Sequence, residues 1–259
     1  MRIVDLSTPI AHEFPTDPPI QMAHIKYVDH QDGIPSMLTA FPGITAKDLP
    51  GGCAWAVEEI ALCTHTGTHM DAPWHYHPTM NGGERAWGID EIPLEWCIGD
   101  GVVVDFSDRP DGYVTTPDDF KEYFKKVRYS LKPGDIVLIH TSAMEAWGIS
   151  DYMKKGCGVG AEATKWLSHQ GIRVTGTDAW SWDAPLSFIA EEVKKTGNKD
   201  LIWEGHKAGR DMIYCHMEKM NNLDKLPTYG FKVVALPINI EHASAGWVRP
   251  IAILGENEG

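Results

Sequence analysis

Apolar and polar positions follow two rhythms along this chain. Apolar runs and period-two alternation mark strands at the start (Met1 to Ile10), over Ala54–Cys63 and over Gly101–Phe106. Further strands are expected after the turn at Lys132-Pro-Gly-Asp, reaching His140, then at Ile172–Thr175, Phe231–Pro237 and Arg249–Leu254. Helices are predicted between them. Thr116-Pro-Asp-Asp-Phe supplies a capping threonine, a proline at the first helical position and acids in the first turn, where they suit the helix dipole. Gly160–His169, stopped by Gly171, and Ser187–Lys195 read the same way. Strand alternates with helix, which is the pattern of an α/β fold. From Phe14 to Gly52 the breakers Phe14-Pro-Thr-Asp-Pro-Pro and Leu49-Pro-Gly-Gly predict irregular loops, and an excursion of that length commonly covers a site. The tail Gly255-Glu-Asn-Glu-Gly259 is expected to fray.

Composition narrows the class. The 259 residues suit one large domain, 1–259, with the loop-rich insertion at about 14–52. A formal charge of -13 repels phosphate backbones and anionic membranes, so nucleic acid is not an expected partner. The cysteines Cys53, Cys63, Cys97, Cys157 and Cys215 are odd in number and lack a Cys-x-x-Cys pair, which fits a reducing compartment and argues against a disulfide framework. Asp5 interrupts any apolar start, and no run approaches the length of a membrane helix, so a cytoplasmic protein is expected.

The chemistry is concentrated in His65-Thr-Gly-Thr-His69-Met-Asp71-Ala-Pro-Trp-His75. Four of the twelve histidines, those at 65, 69, 75 and 77, fall in this neighbourhood with Asp71 among them. Thr64, Thr66, Gly67, Thr68 and Pro73 disfavour a helix interior, so an extended chain is the better template. On such a chain His65, Gly67, His69, Asp71 and His75 share one parity and face one side, with Gly67 leaving room above the backbone. Imidazole with carboxylate suits zinc, manganese or iron(II). Any one of these histidines could be a core or surface residue bonded to a neighbouring threonine; the group at matching parity is what argues for a metal. Asp178, Ser181 and the tryptophans Trp55, Trp74, Trp180 and Trp182 are candidates for a pocket wall, although tryptophan is more often core. His140 reads as structural, and His216, which shares the face of Glu218 if that segment is a strand, reads as structural or as a support behind the ligands.

The string His-Thr-Gly-Thr-His-x-Asp-x-Pro-x-His resembles the signature of the putative cyclase family, which includes bacterial kynurenine formamidase and isatin hydrolase. Asp5-Leu-Ser, Gly176-Thr-Asp-Ala-Trp-Ser181, Glu218-Lys-Met-Asn-Asn-Leu223 and Leu236-Pro237 extend the likeness over most of the chain. The resemblance implies a swivelling β/β/α fold, with a central mixed or barrel-like sheet flanked by helices. One metal would be held by His65, His69, Asp71 and Glu218. A second would share Asp71 and Glu218 and add His206, which stands twelve residues before Glu218. His75 would be the proton donor and acceptor, for which an imidazole of ordinary pKa near 6.5 is suited. Phe14 would be an aromatic facing the substrate, although the chain departs from the compact formamidase pattern by being longer before Cys63. The implied reaction is hydrolysis of a small amide, lactam, formamide or ester by metal-activated water, with one or two ions per chain and a homodimer or homotetramer as the assembly. The same ligands would equally serve metal-assisted cyclisation or elimination on a carbonyl substrate, or a non-catalytic metal-binding protein.

Overall fold

The computed structural model describes residues 1–255, so the tail expected to fray lies, apart from Gly255, outside the described residues. The first half of the chain forms β1 (Arg2–Asp5), β2 (His24–Val28), α1 (Ile34–Ala40), β3 (Val57–Ala61), β4 (His69–Asp71), α2 (Pro73–Tyr76), β5 (Thr79–Met80), β6 (Glu84–Arg85), β7 (Ile98–Asp105), β8 (Val114–Thr115) and α3 (Pro117–Val127). The second half adds β9 (Ile136–His140), β10 (Gly158–Val159), α4 (Ala161–His169), β11 (Val174–Thr177), α5 (Leu186–Thr196), α6 (Glu204–Lys207), β12 (Cys215–Glu218), β13 (Phe231–Val234), β14 (Ala245–Trp247) and β15 (Ile251–Leu254).

Nine strands build one mixed sheet in the order β1-β15-β13-β7-β9-β11-β12-β4-β14. Its centre, β7-β9-β11-β12, is parallel, and the strands on both flanks are antiparallel. The sheet curls into a half-barrel, the α/β arrangement that the alternation of elements predicts. Period-two geometry explains the continuous apolar runs of the central strands. Val102, Val104, Val137 and Ile139 pack with Phe120 and Phe124 of α3 and Leu167 of α4. The intervening Val103, Ile136 and Leu138 join Val174, Met70 and Met217 in the core on the opposite face. Thr116 caps α3 as its sequence predicts: its hydroxyl accepts from the Asp119 backbone N–H, and the Asp119 carboxylate accepts in return from the Thr116 N–H at 2.8 Å.

Three expectations need correction. The segment 14–52 holds β2 and α1, so it carries more regular structure than its prolines and glycines predict. The strand expected over Ala54–Cys63 forms as β3 but stays out of the main sheet, pairing with β2 in a separate exposed ribbon. Its Glu58 and Glu59 leave too little apolar surface for a core strand. Two closing strands are shorter than expected: β13 stops at Val234, where the Ala235 N–H turns to the Cys97 carbonyl, and β15 begins at Ile251, just after Pro250. Among the described residues no helix is long and apolar enough to cross a membrane.

Candidate active site

The site is assembled where β4 meets β12. These strands pair antiparallel with His69 opposite Glu218 and Asp71 opposite His216, and alternation turns all four toward one face. Met70, Cys215 and Met217 point the other way, into the core. The extended template holds only for β4. Gly67 adopts a left-handed conformation (φ 65°), which folds the His65–Thr68 segment into a turn, and Pro73 starts the short helix α2. Convergence is nevertheless reached: His65 Nδ1 lies 2.9 Å from Asp71 Oδ1, and His75, four residues after Asp71, brings Nε2 to 3.6 Å from Oδ2.

Asp71 is the hub. Its Oδ1 is 3.2 Å from His69 Nε2, and its Oδ2 is 3.2 Å from His216 Nε2 and 3.7 Å from His206 Nε2. Glu218 Oε1 is 3.2 Å from His216 and 3.5 Å from His206, while Oε2 is 3.6 Å from His69. Two groupings able to hold a cation share Asp71, one with His206, His216 and Glu218 and one with His65 and His75.

Apart from His216 Nε2 with Glu218 Oε1, these close contacts are not hydrogen bonds. His69 Nε2 and both carboxylate oxygens of Asp71 are buried without a hydrogen-bond partner, a costly arrangement unless a cation sits among them. The far ring nitrogens, by contrast, are tied down. His69 Nδ1 meets the Gly67 carbonyl at 2.8 Å, His206 Nδ1 meets Asp183, and His216 Nδ1 meets the Tyr76 hydroxyl at 3.1 Å. An Nδ1–H spent on these acceptors turns Nε2 inward, the atom through which each ring would ligate a metal in place of a proton. The residues therefore fit a divalent metal.

Burial sets the charges. It pushes the His75 imidazole down to about 4, so this ring is neutral at physiological pH. Burial also opposes a charge on His206, yet its hydrogen bond to Asp183 and the carboxylates of Asp71 and Glu218 raise it well above the ordinary value. Asp71 and Glu218 resist burial through the histidines around them, which hold both well below the usual carboxylate range.

A cavity of about 620 Å³ opens over this cluster. His65, His75, His206 and Glu218 reach it from below, and Trp180 and Ser181 stand at its side. Phe14 lies off its lining and packs on Trp147, ring centroids 5.5 Å apart, while Trp74 is 47% exposed and also off the lining. Trp55 is exposed, and Trp182 is buried against His216. Asp178 is buried behind the site, accepting from His140 and Thr141.

Two neighbours, Asp183 and Trp203, escaped the sequence reading, and a third, His216, was given too small a part. His216 stands in the cluster, and the only trace of this was its parity with Glu218. Asp183 accepts from the backbone N–H groups of Gly205 and His206 as well as from the ring. Trp203 stacks on His206 at 4.4 Å and meets His75 edge-on at 5.0 Å, from a left-handed backbone (φ 58°) that a tryptophan rarely adopts.

Comparison with known proteins agrees with this geometry. Kynurenine formamidase of Erythrobacter litoralis is 26% identical over 196 residues, covering 75% of this chain and 76% of its own. The Bordetella petrii kynurenine formamidase is 26% identical over 82% of this chain and 90% of its own. Isatin hydrolase A from Ralstonia solanacearum superposes with a TM-score of 0.75 at 23% identity, over 98% of this chain and 92% of that one. Isatin hydrolase A from Labrenzia aggregata, bound to benzyl benzoate, gives 0.71 at 26% identity over 98% and 94%. The family model described as putative cyclase matches residues 4–184. That match spans the His65–His75 motif and the strands β4, β7, β9 and β11 of the sheet, and the chain belongs to the putative cyclase family.

Proposed function

We propose that this chain is a metal-dependent hydrolase that cleaves the C–N bond of a linear or cyclic amide. The observation that carries the reading is the set of orphaned ligand atoms: buried His69 Nε2 and Asp71 Oδ1 and Oδ2 lack hydrogen bonds while their neighbours' rings are fixed from behind. Relatives named kynurenine formamidase support the reaction class. His65, His69, Asp71, His206 and Glu218 would hold zinc, manganese or iron(II), as one ion or two, and His216 would join them. A divalent ion bound there acidifies water and polarises a carbonyl.

His75 would move the proton. Its ring is neutral, borders the cavity and has Nε2 directed at the cluster, so it can accept a proton from attacking water and return it to the departing nitrogen. Trp203 covers that ring from the side, which limits exchange of the proton with bulk water. Ser181 lines the cavity and would orient the carbonyl substrate.

The setting we propose is a single domain, 1–259, working in the cytoplasm as a homodimer or homotetramer. Five free cysteines support a reducing compartment, and exposed Ile20 and Phe41 of the insertion offer apolar contact surface for a second copy. The test of the central claim is metal content of protein purified without added metal, beside His69→Ala, followed by a formamide, lactam and ester hydrolysis screen. Near-stoichiometric metal that disappears in the variant, with amide hydrolysis by the wild type, is expected. No metal in either protein, and no activity on adding divalent ions, would reject the reading.

A further inference from the structure

The cavity has two unlike halves. Below are the histidines and Glu218; above is one side of α5. Leu186, Ile189, Ala190 and Val193 follow the i, i+3, i+4, i+7 spacing of a helix stripe, and all four line the cavity. No residue of α5 is buried, so this stripe packs on no core of its own, and Leu186 remains 51% exposed. Ile202 continues the apolar surface beside Trp203 and is 50% exposed. An apolar stripe left open above a reactive cluster is stabilised by whatever fills the cavity.

Charge on this lining is scarce. Among the described residues that line the cavity there is no arginine, and the sole lysine is Lys219. That lysine is already committed: its ammonium donates to the buried Asp17 carboxylate and to the His65 carbonyl, and it lies 5.3 Å from the Trp180 ring centroid. Asp17 also accepts from the Trp180 indole N–H at 3.0 Å. A substrate carboxylate lying against the apolar stripe, away from the metal cluster, would find no free cation on this lining and would lose its water. The protein's net charge of -13 adds a long-range penalty for anions.

We infer that the α5 stripe is the specificity wall of this site, and that it selects an uncharged amide or lactam carrying a bulky apolar group in place of an amino-acid or other carboxylate-bearing substrate. The inference rests on the hydrolase reading for the reaction and on the cavity for the selection. A group of butyl size fits comfortably within about 620 Å³ together with an aryl ring.

Three probes decide it: formanilide, 4-butylformanilide and 4-carboxyformanilide, each assayed for kcat/KM on the metal-loaded wild type and measured for Kd by calorimetry. The butyl probe is expected to exceed the carboxylate probe by roughly 10- to 100-fold in both quantities, the effect of burying one aliphatic group. Ile189→Asp should shrink that ratio at least tenfold, mainly through KM, and Val193→Lys should raise the carboxylate probe above its wild-type value, a gain that a misfolded protein cannot give. Equal handling of the butyl and carboxylate probes, or ratios unmoved by both variants, overturns the inference while leaving hydrolysis intact. If no formanilide is cleaved, the hydrolase reading fails and the calorimetric ratios still judge the wall. A change of oligomeric state in Ile189→Asp, with probe ratios unaltered, would make the stripe an interface between copies and also overturn the assignment.

Discussion

His75 shows how far a residue's neighbours can change its chemistry. From its type alone the imidazole promises titration near neutrality, but burial holds it at about 4, so its task begins from the neutral form. His75→Ala should keep its metal and lose about 10²- to 10⁴-fold in kcat, as checked by elemental analysis beside steady-state rates; full activity in the variant would remove His75 from the reaction. Asp183 lies off the lining of the cavity over the cluster, yet it fixes the ring of His206 and the backbone that carries it. Asp183→Asn should weaken metal affinity by about 10- to 100-fold in chelator competition, while an unchanged affinity would reduce Asp183 to a turn residue. At this scale the sequence disclosed His65, His69, Asp71 and His75 because they crowd one short stretch. Trp203 and Asp183 carry no such signal, since their roles come from contacts made only in the folded chain, and His216 differs from a buried structural histidine only by what lies across the strand from it.

The elements were legible where local rules agree with burial. Thr116-Pro117 announces α3, and the apolar runs of β7 and β9 announce strands covered on both faces. The ribbon β2–β3 was harder, because an alternating pattern reports a strand without saying which sheet it joins. The His-Thr-Gly-Thr-His stretch misled in another way, since Gly67 breaks the extended run that parity assumes. Between elements, His140 at the end of β9 donates to Asp178 just past β11, at 2.8 Å, and the hydroxyl of Tyr152 holds the Asp178 carbonyl. The bond to Asp178 outweighs burial and raises the His140 pKa, while burial raises Asp178 itself, so this tie is held by hydrogen bonding as much as by charge. A raised histidine stabilises the fold fully below its ordinary value near 6.5, and that contribution is lost as pH rises through the folded value. The stability gap between wild type and His140→Asn should therefore be widest at mildly acid pH and narrow toward alkaline pH in urea titrations. A gap independent of pH would mean that His140 acts by shape alone.

For the whole molecule, the cluster concentrates carboxylates and imidazoles in a buried place, and the cation that would satisfy them should contribute to global stability. A chelator should lower the thermal midpoint of the loaded protein by roughly 5–10 °C, corresponding to about 2.7 kcal/mol at a hundredfold excess of ion over its Kd. His69→Ala should show little response to chelator, and an equal response in both proteins would place the stabilising ion elsewhere. The α/β class was readable from the alternation of elements, whereas the sheet order was not, because it depends on which distant strands bury each other's faces. That order has a consequence in time. The ligands on β4 leave the ribosome early, but their counterparts on β12 follow about 150 residues later and must slot between β11 and β4. A nascent chain ending before β12 presents half a chelate, open to whatever ion the cell offers, and only the finished sheet can choose.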